Sequence, residues 1–226
     1  SDMAVEIARM FRVILPINFY SPYKSTNIIE FWRRWHISLS RFLRDYIYIP
    51  LGGNRKGSIR RYINLMTTML IGGLWHGAGW TFIIWGGVHG VLLSINHMWH
   101  SILGKIKSNA LKQVLYIGEI PSRIVTFIII VITWVMFRGE SIGGVKNMYL
   151  AMLGYNGISL PNRAKALLSH INFPINITFD GMFINVKNPE TMLTLLIIMI
   201  LITWNFPNAF DYMRNNTPVL GIRDFV

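Results

Sequence analysis

From Tyr62 to Gly104 the chain reads YINLMTTMLIGGLWHGAGWTFIIWGGVHGVLLSINHMWHSILG, with no Asp, Glu, Lys or Arg. At about 1.5 Å per helical residue, this stretch is long enough for two passes through a hydrocarbon layer of about 30 Å. The run is not uniform. Tyr62 to Trp75 gives about 21 Å of helix, too short to span alone. His76-Gly77-Ala78-Gly79 then reads as a break, and Trp80 to Gly104 is a second, longer apolar segment. If Arg61 marks the interface, His76 lies inside the layer. Irregular backbone at that depth is tolerated only where protein or a water-filled cavity surrounds it. The expectation is a broken helix with a polar residue at the break.

The rest of the chain agrees with a membrane setting. Of 226 residues, 52% are hydrophobic and 14% charged, and the mean hydropathy is +0.40. Soluble domains carry about 25% charge, so an ordinary cytosolic enzyme is disfavoured, and so is disorder. There is no cysteine, which excludes disulfides, thiol nucleophiles and Cys-ligated zinc. The net charge is +12, and residues 1–61 hold 11 of the 22 Lys and Arg against 4 acids. Basic residues flanking spans stay on the cytoplasmic side. The chain opens Ser1-Asp2-Met3 without a signal peptide, and we expect it to be a piece of a longer membrane protein.

Upstream, residues 3–15 read as a short amphipathic helix stopped by Pro16. Asn27 and Glu30 form a start signal like a capping box. On a wheel over 27–48, Phe31, Trp32, Trp35, Leu39, Phe42, Leu43 and Tyr46 fall within about 120°, opposite Arg33, Arg34, Arg41 and Arg44. His36 falls at the border and Ile37 is a misfit. This predicts one cationic amphipathic helix lying in the membrane interface. Downstream, 114–137 and 191–210 read as further membrane helices, the first with a kink at Pro121. Residues 139–190 form a polar connecting region, with short helices near 143–153 and 161–170. The predicted architecture is an all-α, multi-pass integral membrane protein with broken and interfacial helices.

Nucleophile elbows, phosphate loops, zinc-helix motifs and dinucleotide fingerprints are absent. The polar groups in apolar surroundings are histidines. His76 and His89 lie within segments, and His97 and His100 lie towards an end. A histidine moves a proton near neutral pH, and an ionisable residue in a membrane segment is a functional candidate. The bland alternative is a hydrogen bond to a neighbouring helix. His170 reads as a loop residue. His97 and His100 are three apart but lack a carboxylate, so no metal site is expected. The arginines read as a lipid-facing stripe, and no nucleic-acid partner is expected.

Glu30-Phe-Trp-Arg-Arg-Trp-His-Ile-Ser-Leu-Ser40 is followed by Arg44-Asp-Tyr-Ile-Tyr-Ile-Pro-Leu-Gly-Gly-Asn-Arg55. Further on come Leu74-Trp-His-Gly-Ala-Gly79, Trp85-Gly-Gly-Val-His-Gly90 and Trp134-Val-Met-Phe-Arg138. Together these blocks resemble the membrane-bound O-acyltransferase family, in its bacterial alginate O-acetyltransferase-like branch. The resemblance covers residues 1 to about 153 and is only general beyond. It implies a multi-helix membrane bundle with a tunnel, in a chain about twice this length. The family's key histidine maps to His76 and its second to His36, as candidate catalytic residues.

The resemblance further implies an enzyme of the cell membrane. It would O-acetylate an exported polysaccharide from acetyl-CoA as donor substrate, without a cofactor and with a periplasmic or extracellular partner protein. His76 would act as general base. Two other readings stay open. One is D-alanyl transfer to teichoic acid from a carrier protein. The other is a non-enzymatic transporter or scaffold in polysaccharide export, since broken helices also occur in transporters.

Overall fold

The computed structural model describes residues 5, 7, 8, 10–13, 15–108, 118–155, 157–159, 177, 178, 189–208 and 211. The helix expected near 161–170 lies outside them. Among the described residues the regular structure is helical except for one parallel pairing of Ile158–Ser159 with Ile177–Thr178.

Helix α1, Ile28–Arg34, starts where the sequence signals it. The Asn27 side chain accepts from the Glu30 N–H at 2.9 Å. Glu30 reaches back one residue further than a capping box would, to the Thr26 N–H and hydroxyl, and pairs with Arg34 at 2.7 Å.

The single helix expected over 27–48 does not form. The chain leaves the helix at Trp35, turns through His36 at φ 44°, ψ 55°, and restarts as α2, Ile37–Leu43, followed by a π turn over Arg44–Tyr48. The reason lies upstream. The Asn18 carbonyl accepts from Ile37 N–H, its side-chain oxygen accepts from Ser38 N–H and hydroxyl, and Tyr20 N–H donates to the Arg34 carbonyl. These bonds satisfy backbone groups that a break leaves orphaned. The kink also re-aims the apolar face. Leu39 and Leu43 are buried, while Phe42 and Tyr46 pair with each other at the surface.

Helices α3 (Gly57–His76) and α4 (Trp80–Lys105) form an antiparallel hairpin across the break at 77–79. They touch backbone to backbone. A Cβ on Gly73 would collide with the Phe82 carbonyl, and one on Gly86 with the Met69 carbonyl. Asn64 is buried on α3 and donates to the carbonyls of Leu51 and Gly53, tying the preceding loop down.

Helix α5, Glu119–Arg138, begins after Gly118. Pro121 therefore sits in its first turn, where the missing N–H costs nothing, and it produces no mid-helix kink. Thr126, Ile130 and Thr133 face inward. Ile28, Phe31, Met69, Leu93 and Ile130 make the core where α1, α3, α4 and α5 meet.

Helix α6, Ile142–Met152, starts on a Ser141 cap. Helix α7, Pro189–Asn205, ends before the predicted limit at 210, so its apolar part, Thr191–Asn205, is shorter than a full span. Its end docks on the 21–24 turn. Lys24 donates to the Phe206 carbonyl, Asn208 donates to Ser21, and Trp204 meets Phe127 edge-on at 5.6 Å. Among the described residues, Glu119–Arg138 is the one helix both long and apolar enough to cross a membrane. Tyr, Asn, His and Gly dilute α3 and α4.

A candidate active site at the helix break

His76 is the last residue of α3. Gly77 ends the helix, and a Cβ there would fall 2.8 Å from the Phe82 ring. Gly79, in extended conformation, opens α4. The turn is therefore tight, and it leaves the imidazole among four aromatic rings. Centroid distances are 4.9 Å to Trp75, 4.9 Å to Phe137, 5.4 Å to Trp85 and 6.3 Å to Phe82.

His36 comes to the same place from the other break. Its left-handed backbone, unusual for a residue with a side chain, turns the ring towards Trp75 at 5.9 Å and Phe19 at 6.0 Å. Trp75 thus contacts both His36 and His76. Among the described residues the buried Nδ1 atom of His36 meets no hydrogen-bond partner. Burial pushes the pKa of His36 below its ordinary value, which favours the neutral imidazole. A neutral imidazole can accept a proton at its unprotonated ring nitrogen where substrate reaches it.

The other histidines separate. His89 takes the second of the two readings, since it bonds neighbouring helices. Its Nδ1 accepts from the Trp32 indole N–H at 3.3 Å, and its Nε2 lies 3.1 Å from the Thr133 hydroxyl. His97 and His100 sit far down α4, His97 about 26 Å from its start at the usual rise. His170 lies outside the described residues. Among the described residues no group of three ligating side chains could hold a metal.

The sequence did not single out Trp75, Trp85 and Phe137 as lining. Each belongs to a quoted block, but only the fold brings all three against one ring. Beside the break, an apolar groove of about 280 Å³ runs between α4, α5 and α6, lined by Thr81, Ile84, Met136, Val145, Tyr149 and Leu150.

Comparison with known proteins adds to this geometry. Residues 5–138 match the model of the membrane-bound O-acyltransferase family. A peptidoglycan O-acetyltransferase of Helicobacter pylori is 39% identical over 216 residues, covering 95% of this chain and 39% of the relative. A "probable alginate O-acetylase" of Pseudomonas aeruginosa is 45% identical over 170 residues, covering 75% of this chain and 31% of the relative. A teichoic acid D-alanyltransferase of Streptococcus thermophilus is 34% identical over 110 residues, covering 44% of this chain and 26% of the relative. The chain therefore spans well under half the length of these relatives.

Proposed function

Because the chain belongs to the membrane-bound O-acyltransferase family, we propose that the whole protein moves an acetyl group from acetyl-CoA to a hydroxyl of an exported cell-surface polysaccharide. The observation that carries the reading is the meeting of His76 and His36 around Trp75 at the helix break.

The chemistry follows from the groups present. A hydroxyl is a weak nucleophile until a base accepts its proton. His76 takes that proton as the oxygen attacks the thioester carbonyl. The tetrahedral adduct collapses to the ester, and the departing thiolate takes up the proton, leaving free CoA. A positioned general base contributes about 10²–10⁴-fold. His36 orients the hydroxyl or shares its activation. Trp85, 3% exposed, closes the inner side of the imidazole, while Trp75 stands 59% exposed. The attacking hydroxyl is carried by a partner on the far side of the membrane, whose ester then gives its acetyl group to a glycan hydroxyl and regains its own O–H.

Embedding in the cell membrane, in several passes, is part of the proposal. It is supported by the family and by the apolar surface of α5 and α7. The acetyl reading is favoured over D-alanyl transfer because the two O-acetyl relatives cover 95% and 75% of the chain, against 44% for the D-alanyl one.

The test is His76→Ala and His76→Gln in the whole protein, reading ester-linked acetate on the exported polymer against protein abundance by immunoblot. We expect acetate to vanish while abundance holds. Parental acetylation in either variant would refute the base and favour a transporter or scaffold.

A further inference from the structure

Among the described residues His89 is the most enclosed titratable side chain outside the candidate site, with 0% of its surface exposed. Such a position ordinarily favours an apolar residue, because a buried polar group is costly unless both its ends are satisfied. Here both are, and by different helices. Trp32 on α1 donates to Nδ1 at 3.3 Å, and Thr133 on α5 faces Nε2 at 3.1 Å.

The proton inventory fixes the tautomer. Thr133 gives its single hydroxyl proton to the Ile130 carbonyl at 2.8 Å, so only its lone pair faces the imidazole. Nε2 must therefore carry the hydrogen, and Nδ1 must be the acceptor for the indole N–H. A second proton would set two N–H groups against each other at Nδ1. The ring is thus held neutral, in one tautomer and one orientation.

What it holds leads to both site histidines. Trp85 stands 4.7 Å from His89 and 5.4 Å from His76, and is itself 3% exposed. Trp32 packs on Trp85 at 5.8 Å and lies in the helix that ends at the His36 kink. Phe31 stacks on His89 at 6.5 Å on one side and on Trp35, the neighbour of His36, at 5.7 Å on the other. Each site histidine is thus linked to His89 through an intervening aromatic residue or two.

We infer that His89 is a positioning residue: by bridging Trp32 and Thr133 it fixes the aromatic frame that holds His36 and His76 in register. The inference rests on the proposed reading of His76 as the reacting base. A frame of this kind matters because a displacement of about 1 Å at a reacting group can cost about 10²-fold in rate.

The test uses four substitutions in the whole protein. Trp32→Phe removes the indole donor and keeps a ring. Thr133→Val removes the acceptor and keeps the shape. His89→Leu removes both bonds, and His89→Asn keeps an oxygen near the Nδ1 position to accept from Trp32. The rate of thiol release from acetyl-CoA is measured on membranes of the producing strain, per unit of immunodetected protein, with kcat and KM separated. His76→Ala is measured in parallel.

We expect Trp32→Phe and His89→Leu to lower kcat about 10–10²-fold with KM for acetyl-CoA unchanged. His89→Asn should recover part of the loss, and Trp32→Phe combined with His89→Leu should be no worse than His89→Leu alone. A purely structural role would lower abundance and leave kcat per folded molecule at the parental value. If His76→Ala is inactive while Trp32→Phe and Thr133→Val keep parental kcat, the positioning role falls and the proposed function stands. If His76→Ala keeps parental activity, the proposed function falls, and this inference with it.

Discussion

The kink at His36 can be tested by the sign of one stability difference. In a regular helix, glycine is less stable than alanine by about 0.5–1 kcal/mol, because it loses more backbone freedom on folding. His36 is not in a regular helix. At φ 44°, ψ 55° its backbone occupies the left-handed region, which costs a residue with a Cβ about 1–2 kcal/mol and costs glycine nothing. Setting that relief against the entropy term leaves His36→Gly level with His36→Ala or ahead by about 1.5 kcal/mol. A continuous helix over 27–48 would give the opposite order. The assay is thermal unfolding of the detergent-solubilised whole protein. The glycine variant should melt level with the alanine variant or up to about 4 °C above it. A glycine variant melting lower than the alanine variant would refute the left-handed break. Activity adds a second reading. Both variants lack the imidazole, so acyl transfer should be severely reduced in both. Parental transfer by the glycine variant would show that the kink alone is needed and that His36 does no chemistry.

Other outcomes follow from the same structure. Gly86→Val drives a side chain into the Met69 carbonyl and should cost about 3 kcal/mol or more, seen as loss of protein from the membrane. Gly87→Ala meets Leu70 at ordinary contact distance and should leave abundance unchanged. Asn27→Ala removes the cap of α1 and should lower stability by about 1 kcal/mol, measured by the same thermal assay. Cysteines placed at Asn54 or Ser58 in this cysteine-free sequence should resist an impermeant thiol reagent in intact cells and react after permeabilisation. Labelling in intact cells would overturn the cytoplasmic placement of the basic cluster. His97→Ala should leave acetylation at the parental level, since His97 is remote from the break.

Two breaks in this chain differ in how far their causes lie along the sequence. The one at 77–79 was legible because its cause is local: two glycines within three residues follow a histidine in an apolar run. The one at Trp35–His36 was not. Its caps come from Asn18 and Tyr20, and a helical wheel over 27–48 contains neither. The wheel did carry one warning, the misfit at Ile37, which is the first residue of the second helix. The site divides the same way. His76 stood out as a polar residue at a Gly-rich turn, whereas His36 was carried only by its motif block. The rings around His76 come from three helices, and no period in one segment could assemble them. His89 was visible as a buried histidine, but its hydrogen-bond partners, Trp32 and Thr133, lie 57 and 44 residues away.

The turn that follows Asn18 and Tyr20 carries a consequence for biosynthesis. Its near side is fastened over 14 and 19 residues, by Tyr20 to Arg34 and by Asn18 to Ile37. Its far side is fastened to Phe206 and Asn208, across sequence separations of 182 and 187 residues. A ribosome adds about 5–20 residues per second, so roughly 10–40 s separate the emergence of the two ends. During that interval the Lys24 amine and the Ser21 hydroxyl lack these partners. The His36 kink can therefore be drafted early in synthesis, but the clasp that seats α7 beside it closes only once α7 itself has been delivered. Chains whose synthesis stops before Phe206 would carry the break with its clasp open.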